Sequence, residues 1–116
     1  MVKETHEKQL LIYSDSYGKE PWVEWISSLK DPVTRKRIFS RIRQIQAGNY
    51  GDCKPVGEGV LELRLFFGAG YRFYFGELEK GGIVLLLCGG DKSTQEKDIK
   101  QAKVFWREYN AQIENI

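Results

Sequence analysis

The segment that most constrains the fold runs from residue 60 to residue 76, VLELRLFFGAGYRFYFG. Apolar residues take alternate positions in both halves of this segment, which is typical of β-strands with one buried face. Gly68-Ala69-Gly70 predicts a three-residue turn that pairs Phe67 with Tyr71 and Leu65 with Phe73. The segment therefore predicts a β-hairpin that organises the core. Its predicted core face consists of Leu61, Leu63, Leu65, Phe67, Tyr71, Phe73 and Phe75.

The opposite face of this hairpin is polar and basic. It carries Glu62, Arg64, Phe66, Arg72 and Tyr74. In the predicted register Arg64 lies opposite Tyr74 and diagonal to Arg72, so two guanidinium groups and a phenol project together from the side away from the core. Because like charges this close repel one another, the pattern predicts that this face binds an anion.

The rest of the N-terminal half predicts a strand and two helices. Residues 8–14 form an apolar run of strand length, and helical spacing begins near residue 20. The apolar stripe of this first helix is Trp22, Trp25, Ile26 and Leu29. Asp31 and Pro32 predict the cap and first turn of a second helix, which Gly48 ends. The short connection predicts an antiparallel helical hairpin, in which the tryptophans pack in the core.

The C-terminal half predicts a loop, a buried strand and a helix. Residues 49–59 are rich in turn-forming residues, so a loop containing Lys54 is expected there. The run from Ile83 to Cys88 lacks alternation, which suits a strand covered on both sides. Ser93 and Glu96 have the spacing of a capping box for a last helix. The predicted order is β-α-α-β-β-β-α, an α+β fold with a four-stranded, mainly antiparallel sheet.

Length and composition predict one globular domain, residues 1–116, with 41% hydrophobic residues. Neither a membrane span of about 18 apolar residues nor a secretory signal is recognisable, so a cytoplasmic protein is expected. Cys53 and Cys88 accompany a single histidine, which predicts reduced thiols rather than a disulfide framework or a zinc site. We expect no cofactor and no metal.

Basic residues outnumber acidic ones in the middle of the chain, whereas acidic residues slightly outnumber basic ones at both ends. Arg37 and Arg41 are four residues apart on the second helix, beside Lys36, and no acidic residue occurs between Asp31 and Asp52. Either this surface contacts phosphate groups or it is a solvated basic helix face.

Three segments together carry a resemblance to a known family. They are residues 59–64 (GVLELR), 68–74 (GAGYRFY) and 85–95 (LLLCGGDKSTQ). The whole chain resembles the RelE/HigB-type toxins of bacterial toxin–antitoxin modules, and within them the phage-derived, Gp49-like addiction-module killer proteins. This resemblance implies a RelE-like fold and an endoribonuclease that cuts messenger RNA, commonly in the ribosomal A site. It also implies a helix-turn-helix antitoxin as partner, through which alone the pair binds operator DNA.

Metal-free RNA cleavage requires a deprotonated 2′-OH, stabilisation of charge on the phosphorane, and a proton for the leaving 5′-oxygen. His6, the one histidine, lies in a polar N-terminal segment, where we expect it to be solvated, and no carboxylates are clustered for two metals. The chain therefore has to rely on lysine, arginine and tyrosine, which is the set that RelE-like enzymes use.

By resemblance, Arg64 and Arg72 hold the scissile phosphate, with Tyr74 beside them. Lys54 matches the family's basic loop residue and Lys92 its polar group after the last strand, so one of these lysines is expected to transfer a proton. Arg37, Arg41 and Lys36 are expected to contact RNA, including ribosomal RNA. Structural alternatives remain for these side chains: Arg64 pairs with Glu62 or Glu58, Arg72 and Tyr74 only cover the sheet, and Lys92 is solvated.

One departure from the family lies after the last strand. Several relatives have tyrosine or histidine there, whereas this chain has Asp91-Lys92. Two alternative functions therefore stay open. One is a non-enzymatic toxin similar to ParE, which inhibits DNA gyrase, and the other is an inactive prophage remnant that only binds its antitoxin.

Overall fold

The computed structural model describes residues 7–114, so His6 lies outside the described part of the chain. The strands are β1 (Gln9–Ile12), β2 (Cys53–Gly57), β3 (Val60–Arg64), β4 (Arg72–Leu78) and β5 (Ile83–Gly90). The α-helices are α1 (Pro21–Ser28), α2 (Pro32–Gln46) and α3 (Gln95–Glu114), with short 3₁₀ turns at Glu79–Gly81 and Lys92–Thr94. None of these helices is both long enough and apolar enough to span a membrane.

The predicted α+β class is confirmed, but the prediction of four strands is wrong. The sheet has five strands in the order β1-β5-β4-β3-β2, with β1 parallel to β5 and the other neighbours antiparallel. The additional strand is β2, which lies in the segment predicted as a loop. Pro55 and Gly57 kept β2 from being predicted, because both residues are unfavourable in most strands. An edge strand with an irregular register tolerates them.

The β3–β4 hairpin has the predicted faces but a different register. Leu63 pairs with Phe73 and Arg64 with Arg72, so the pairing that was predicted for Leu65 and Phe73 is wrong by two residues. A shift of two leaves every side chain on its own face, which is why the alternation could not reveal it. The loop is also longer than the predicted turn Gly68-Ala69-Gly70. Leu65 N–H donates to the Tyr71 carbonyl at 2.9 Å, so the loop that this hydrogen bond closes consists of residues 66–70.

Helices α1 and α2 cover one face of the sheet. The buried core there consists of Trp22, Ile26, Ile38, Ile42, Ile45, Leu63, Leu65, Phe73, Phe75, Val84 and Leu86. The ring of Trp22 stands edge-on to Phe73, with 6.2 Å between centroids, so the prediction that the tryptophan stripe packs in the core is confirmed. The Asp31 carboxylate accepts from Val33 N–H at 3.1 Å and caps α2 as predicted.

Helix α3 packs on the opposite face of the sheet. The buried core on this side consists of Tyr13, Val60, Tyr74, Leu85, Leu87, Cys88 and Ala102. Strand β5 is thus covered on both faces, as its unbroken apolar run predicted. The predicted capping box of Ser93 and Glu96 is wrong, because Asp91 is the cap: its carboxylate accepts from Ser93 N–H, and its own N–H donates to Thr94 Oγ1.

Candidate functional site

Two arginines face one another at the end of the β3–β4 hairpin where the strands enter their connecting loop. Arg64 and Arg72 are directly paired across the strands, on the α3 side of the sheet. With Lys92 they line a groove of about 420 Å³, which we call the hairpin groove. The prediction that both guanidinium groups share one face is confirmed, although Arg64 lies opposite Arg72 rather than opposite Tyr74.

The buried carboxylate of Glu62 lies between two of the predicted site residues. Its Oε2 is 3.9 Å from Arg72 Nε, and its Oε1 is 3.9 Å from Lys54 Nζ. Strand pairing produces the contact between Lys54 and Glu62, because Lys54, Glu62 and Tyr74 are register partners across β2, β3 and β4. Glu62 is fully buried, whereas half of the Lys54 side chain is exposed. One buried anion thus joins the two cations.

Two neutral donors complete the surroundings of Glu62. Tyr74 Oη donates to Oε2 at 2.9 Å, and Gln95 Nε2 from α3 donates to the same oxygen at 3.0 Å. Oε1 accepts no hydrogen bond from any residue in the described range 7–114. Because a buried carboxylate is costly unless it is paired, this arrangement fixes the side chains around it.

The predicted exposure of Tyr74 is wrong. Its side chain is completely buried, since α3 crosses the sheet over this position. Burial, followed by the hydrogen bond to Glu62, raises the pKa of Tyr74 far above the ordinary value of a tyrosine. The phenol therefore stays protonated and holds Glu62, and it does not face the hairpin groove.

Arg64 has a carboxylate partner, but not one of those expected. Its Nε lies 3.3 Å from Asp52 Oδ2, and its backbone N–H donates to the Asp52 carbonyl at 3.1 Å. Pairing of Arg64 with Glu58 is wrong, because Glu58 lies with Arg107 instead, at 2.9 Å. One third of the Arg64 side chain remains exposed. Arg64 is therefore anchored at one side and open to the groove.

The loop between β3 and β4 brings Arg72 and Lys92 together. Arg72 donates from one terminal nitrogen to the Gly70 carbonyl at 3.0 Å, and Lys92 N–H donates to the Ala69 carbonyl at 3.3 Å. Arg72 Nε is buried without a hydrogen-bond partner among the described residues. The Ser93 hydroxyl, with Arg72 as a smaller cause, holds the pKa of the Asp91 carboxyl below its usual range. Lys92 itself is exposed at the rim.

A second groove lies on the other side of the same loop. It measures about 250 Å³ and is lined by Arg37, Ser40 and Arg41 of α2 and by Leu65, Phe66 and Phe67. We call it the α2 groove. Arg41 is partly committed to structure, because it donates to the carbonyls of Tyr50 at 3.1 Å and Arg64 at 3.4 Å. Lys36 is exposed but lines neither groove.

Sequence reasoning missed the central role of Glu62 and the contributions of Asp52 and Gln95. An acidic residue alternating with leucines on the same face as Arg64 and Tyr74 was the available signal for Glu62. Its contact with Lys54 depends on β2, which the sequence pattern did not reveal. Within residues 7–114, no three histidine, cysteine, aspartate or glutamate side chains form a group that could hold a metal ion.

Comparison with known proteins identifies a relative that matches most of this chain. No family model and no solved structure matches the chain. A protein of Haemophilus influenzae, described as uncharacterized, is 51% identical over 84 residues, which cover 72% of this chain and 84% of that protein. At this identity and coverage, the chain belongs to the same family as the Haemophilus influenzae protein.

Proposed function

We propose that this protein is the toxin of a type II toxin–antitoxin module, a RelE/HigB-like, Gp49-like endoribonuclease that cleaves messenger RNA at the ribosome. The observation that carries the proposal is the direct pairing of Arg64 and Arg72 in an open groove, beside Lys92 and above the buried Glu62 that also contacts Lys54. Cations assembled in this way suit a phosphate group.

Arg64 and Arg72 stabilise the charge that develops on the phosphorane when the 2′-oxygen attacks. Guanidinium groups present several N–H donors in a planar fork that matches phosphate oxygens. Asp52 and Glu62 orient the two side chains without occupying the groove, since Glu62 is buried and Asp52 contacts Arg64 at Nε. Donors that are oriented in advance need little reorganisation during the reaction.

The two proton transfers fall to Lys92, which lines the hairpin groove, and to Lys54, which does not line it but contacts Glu62. One lysine accepts the proton of the 2′-OH, and the other donates a proton to the leaving 5′-oxygen. Tyr74, which is buried against Glu62, acts as a positioning residue. Arg37, Arg41 and Lys36 would contact messenger or ribosomal RNA, and a helix-turn-helix antitoxin would inhibit the toxin in the cytoplasm.

Brief induction in bacteria, followed by mapping of messenger RNA 5′ ends, tests the proposal. We expect discrete new ends with the unchanged protein, and a loss of about 100- to 1,000-fold in cleavage with Arg72→Ala or Arg64→Ala. Arg107→Ala is the matched control, because Arg107 forms an exposed ion pair with Glu58 outside both grooves. Intact transcripts accompanied by cleaved DNA would contradict the proposal and favour the gyrase inhibitor.

Purified variants can assign the two lysines. An RNA with sulfur in place of the scissile 5′-oxygen has a leaving group that needs no proton, so it restores the rate of a variant that lacks only the general acid. We expect one of Lys54→Ala and Lys92→Ala to regain activity on this substrate, while the other stays slow. Equal behaviour of the two variants on both substrates would show that the lysines do not divide the proton transfers.

A further inference from the structure

Phe66 is a large apolar side chain that is exposed to solvent near the start of the β3–β4 loop. It is 77% exposed, whereas its neighbours on both sides pack. Leu65 is buried, and the ring of Phe67 lies 5.7 Å from that of Tyr71, centroid to centroid. The Arg64 guanidinium carbon lies 5.5 Å from the centre of the Phe66 ring. An exposed phenyl group beside a cation is a surface that a second planar group can cover.

The loop that carries Phe66 has a defined backbone. Leu65 N–H donates to the Tyr71 carbonyl at 2.9 Å, Gly70 N–H to Phe67 at 3.2 Å, and Lys92 N–H to Ala69 at 3.3 Å. The Arg37 guanidinium carbon adds a contact from α2, 4.7 Å from the centre of the Phe67 ring. The hydrogen bond of Leu65 therefore holds the loop before Phe66, and the contacts of Arg37 and Lys92 hold it after Phe66.

Phe66 lines both grooves, and each groove is basic. Arg64, Arg72 and Lys92 line the hairpin groove, and Arg37 and Arg41 line the α2 groove. The surface thus presents cations, an aromatic ring and cations again. A single-stranded nucleic acid has the complementary order, because its phosphates alternate with planar bases, and such strands bind proteins by stacking on aromatic rings within basic grooves.

We propose that Phe66 is a base-stacking platform, over which single-stranded RNA passes from the hairpin groove to the α2 groove. This inference rests on the proposed function, since it places the substrate of that site. An acidic protein segment would satisfy the cations, but its carboxylates lack the planar rings that cover the face of Phe66. Stacking beside Arg64 would also position the nucleotide whose phosphate the two arginines hold.

Binding of a short 2′-O-methyl RNA tests the platform separately from cleavage, because this RNA has no free 2′-OH to react. A central 2-aminopurine reports stacking through quenching of its fluorescence, and anisotropy reports affinity. We expect Phe66→Ala to weaken binding by about 5- to 150-fold and to abolish the quenching. Phe66→Trp should retain both signals. Tyr17→Ala is the matched control, since Tyr17 is 90% exposed and lines neither groove.

The outcomes separate this inference from the proposed function. If Phe66→Ala binds and quenches like the unchanged protein, or if the unchanged protein does not bind the RNA, the platform is contradicted even where cellular transcripts are cut. If stacking depends on Phe66 but transcripts stay intact, the platform stands and the nuclease proposal fails. If Phe66→Ala loses only the binding of an acidic partner protein, the occupant is a protein and the inference is wrong. Thermal unfolding of each variant checks that the exposed position leaves the fold intact.

Discussion

Phe73 and Tyr74 are neighbours in β4, yet they face two environments of different kinds. Phe73 points toward α1 and α2, where Trp22, Phe75 and aliphatic side chains surround it. Tyr74 points toward α3, where its hydroxyl meets the buried carboxylate of Glu62. Both side chains are fully buried. Two side chains that are equally buried on the two faces therefore have different roles.

The difference lies in what burial requires on each face. Apolar contacts on the α1–α2 side are non-directional, so their stabilisation follows the area removed from water. On the α3 side the charges of Glu62 and Arg72 have to be satisfied by particular partners at particular distances. We infer that the α1–α2 face mainly stabilises the fold. The α3 face holds the candidate site in place, at some cost in stability.

The largest expected effect on stability comes from the apolar face. Phe73→Ala should lower the free energy of unfolding by about 3–5 kcal/mol, because it leaves a cavity beneath Trp22 and Phe75. Urea unfolding followed by tryptophan fluorescence measures the change. Val33→Ala on α2 is the control, since Val33 is 58% exposed and should change stability by less than about 1 kcal/mol. Similar losses in both variants would contradict the assignment of this face as the core.

Each face also contains one thiol, and their reactivities should differ. Burial, followed by Glu77, raises the pKa of Cys53 to about 11, and burial, followed by Asp98, raises the pKa of Cys88 to about 12. At pH 9 we expect iodoacetamide to react with the folded protein about 50-fold more slowly at Cys53 and about 500-fold more slowly at Cys88 than with the unfolded chain, because thiolate is the nucleophile. Cys88 should be the slower of the two. Mass spectrometry after timed quenching measures both rates.

The same shifts give the sign of a pH effect on stability. Unfolded thiols ionise near their ordinary pKa, before the folded ones do. The contribution of these thiols to stability is therefore fully present below about pH 9, and it falls as the pH rises toward 11 and 12. Cys88→Ala should reduce this alkaline loss. Rapid alkylation of Cys88 in the folded protein at pH 9 would contradict its burial under α3.

Much of the α1–α2 face could be predicted from the sequence, because residue type and spacing determine which side chains leave water. The alternation through Leu63, Leu65, Phe73 and Phe75 predicted the correct face for all four. It could not fix the register, since a shift of two residues preserves every face. Strand β2 escaped prediction because its pairing with β3 stabilises a segment whose own residues favour turns.

The candidate site was predictable only in part. The convergence of Arg64 and Arg72 followed from their positions on paired strands. The burial of Tyr74 did not, because it depends on where α3 crosses the sheet, which no local pattern specifies. Glu62 and Gln95 are far apart in sequence, and their hydrogen bond arises only when α3 packs against β3. The partners of a charged side chain can therefore be predicted only from the tertiary structure, whereas apolar periodicity can be read from the sequence.

A smaller effect, confined to the α3 face, should separate site organisation from folding. Glu62→Gln removes the anion between Lys54 and Arg72 but retains an oxygen that accepts from Tyr74. We expect kcat for RNA cleavage to fall about 10- to 100-fold with a smaller change in KM, because misplaced cations stabilise the transition state poorly. Its loss of unfolding free energy should be smaller than that of Phe73→Ala.

Glu58→Gln is the matched control for this prediction, since Glu58 is exposed and pairs with Arg107. It should leave both kcat and stability nearly unchanged. Full activity of Glu62→Gln would show that the buried charge does not position Arg72 and Lys54. A fall in activity that only parallels unfolding would instead assign Glu62 to the core.

A final pair of effects concerns one hydroxyl on each face, and the smaller of the two is expected at Tyr50. Tyr74→Phe removes the hydrogen bond to buried Glu62 and should cost about 1.5–3 kcal/mol, because the carboxylate then keeps only Gln95 as a donor to Oε2. Tyr50→Phe makes the same change on the α1–α2 side, where the hydroxyl donates to the exposed Glu77, and should cost less than about 1 kcal/mol since water replaces the lost donor. Urea unfolding of both variants measures the two losses of unfolding free energy. Equal losses would mean that buried Glu62 depends on its hydrogen-bond donors no more than an exposed carboxylate does.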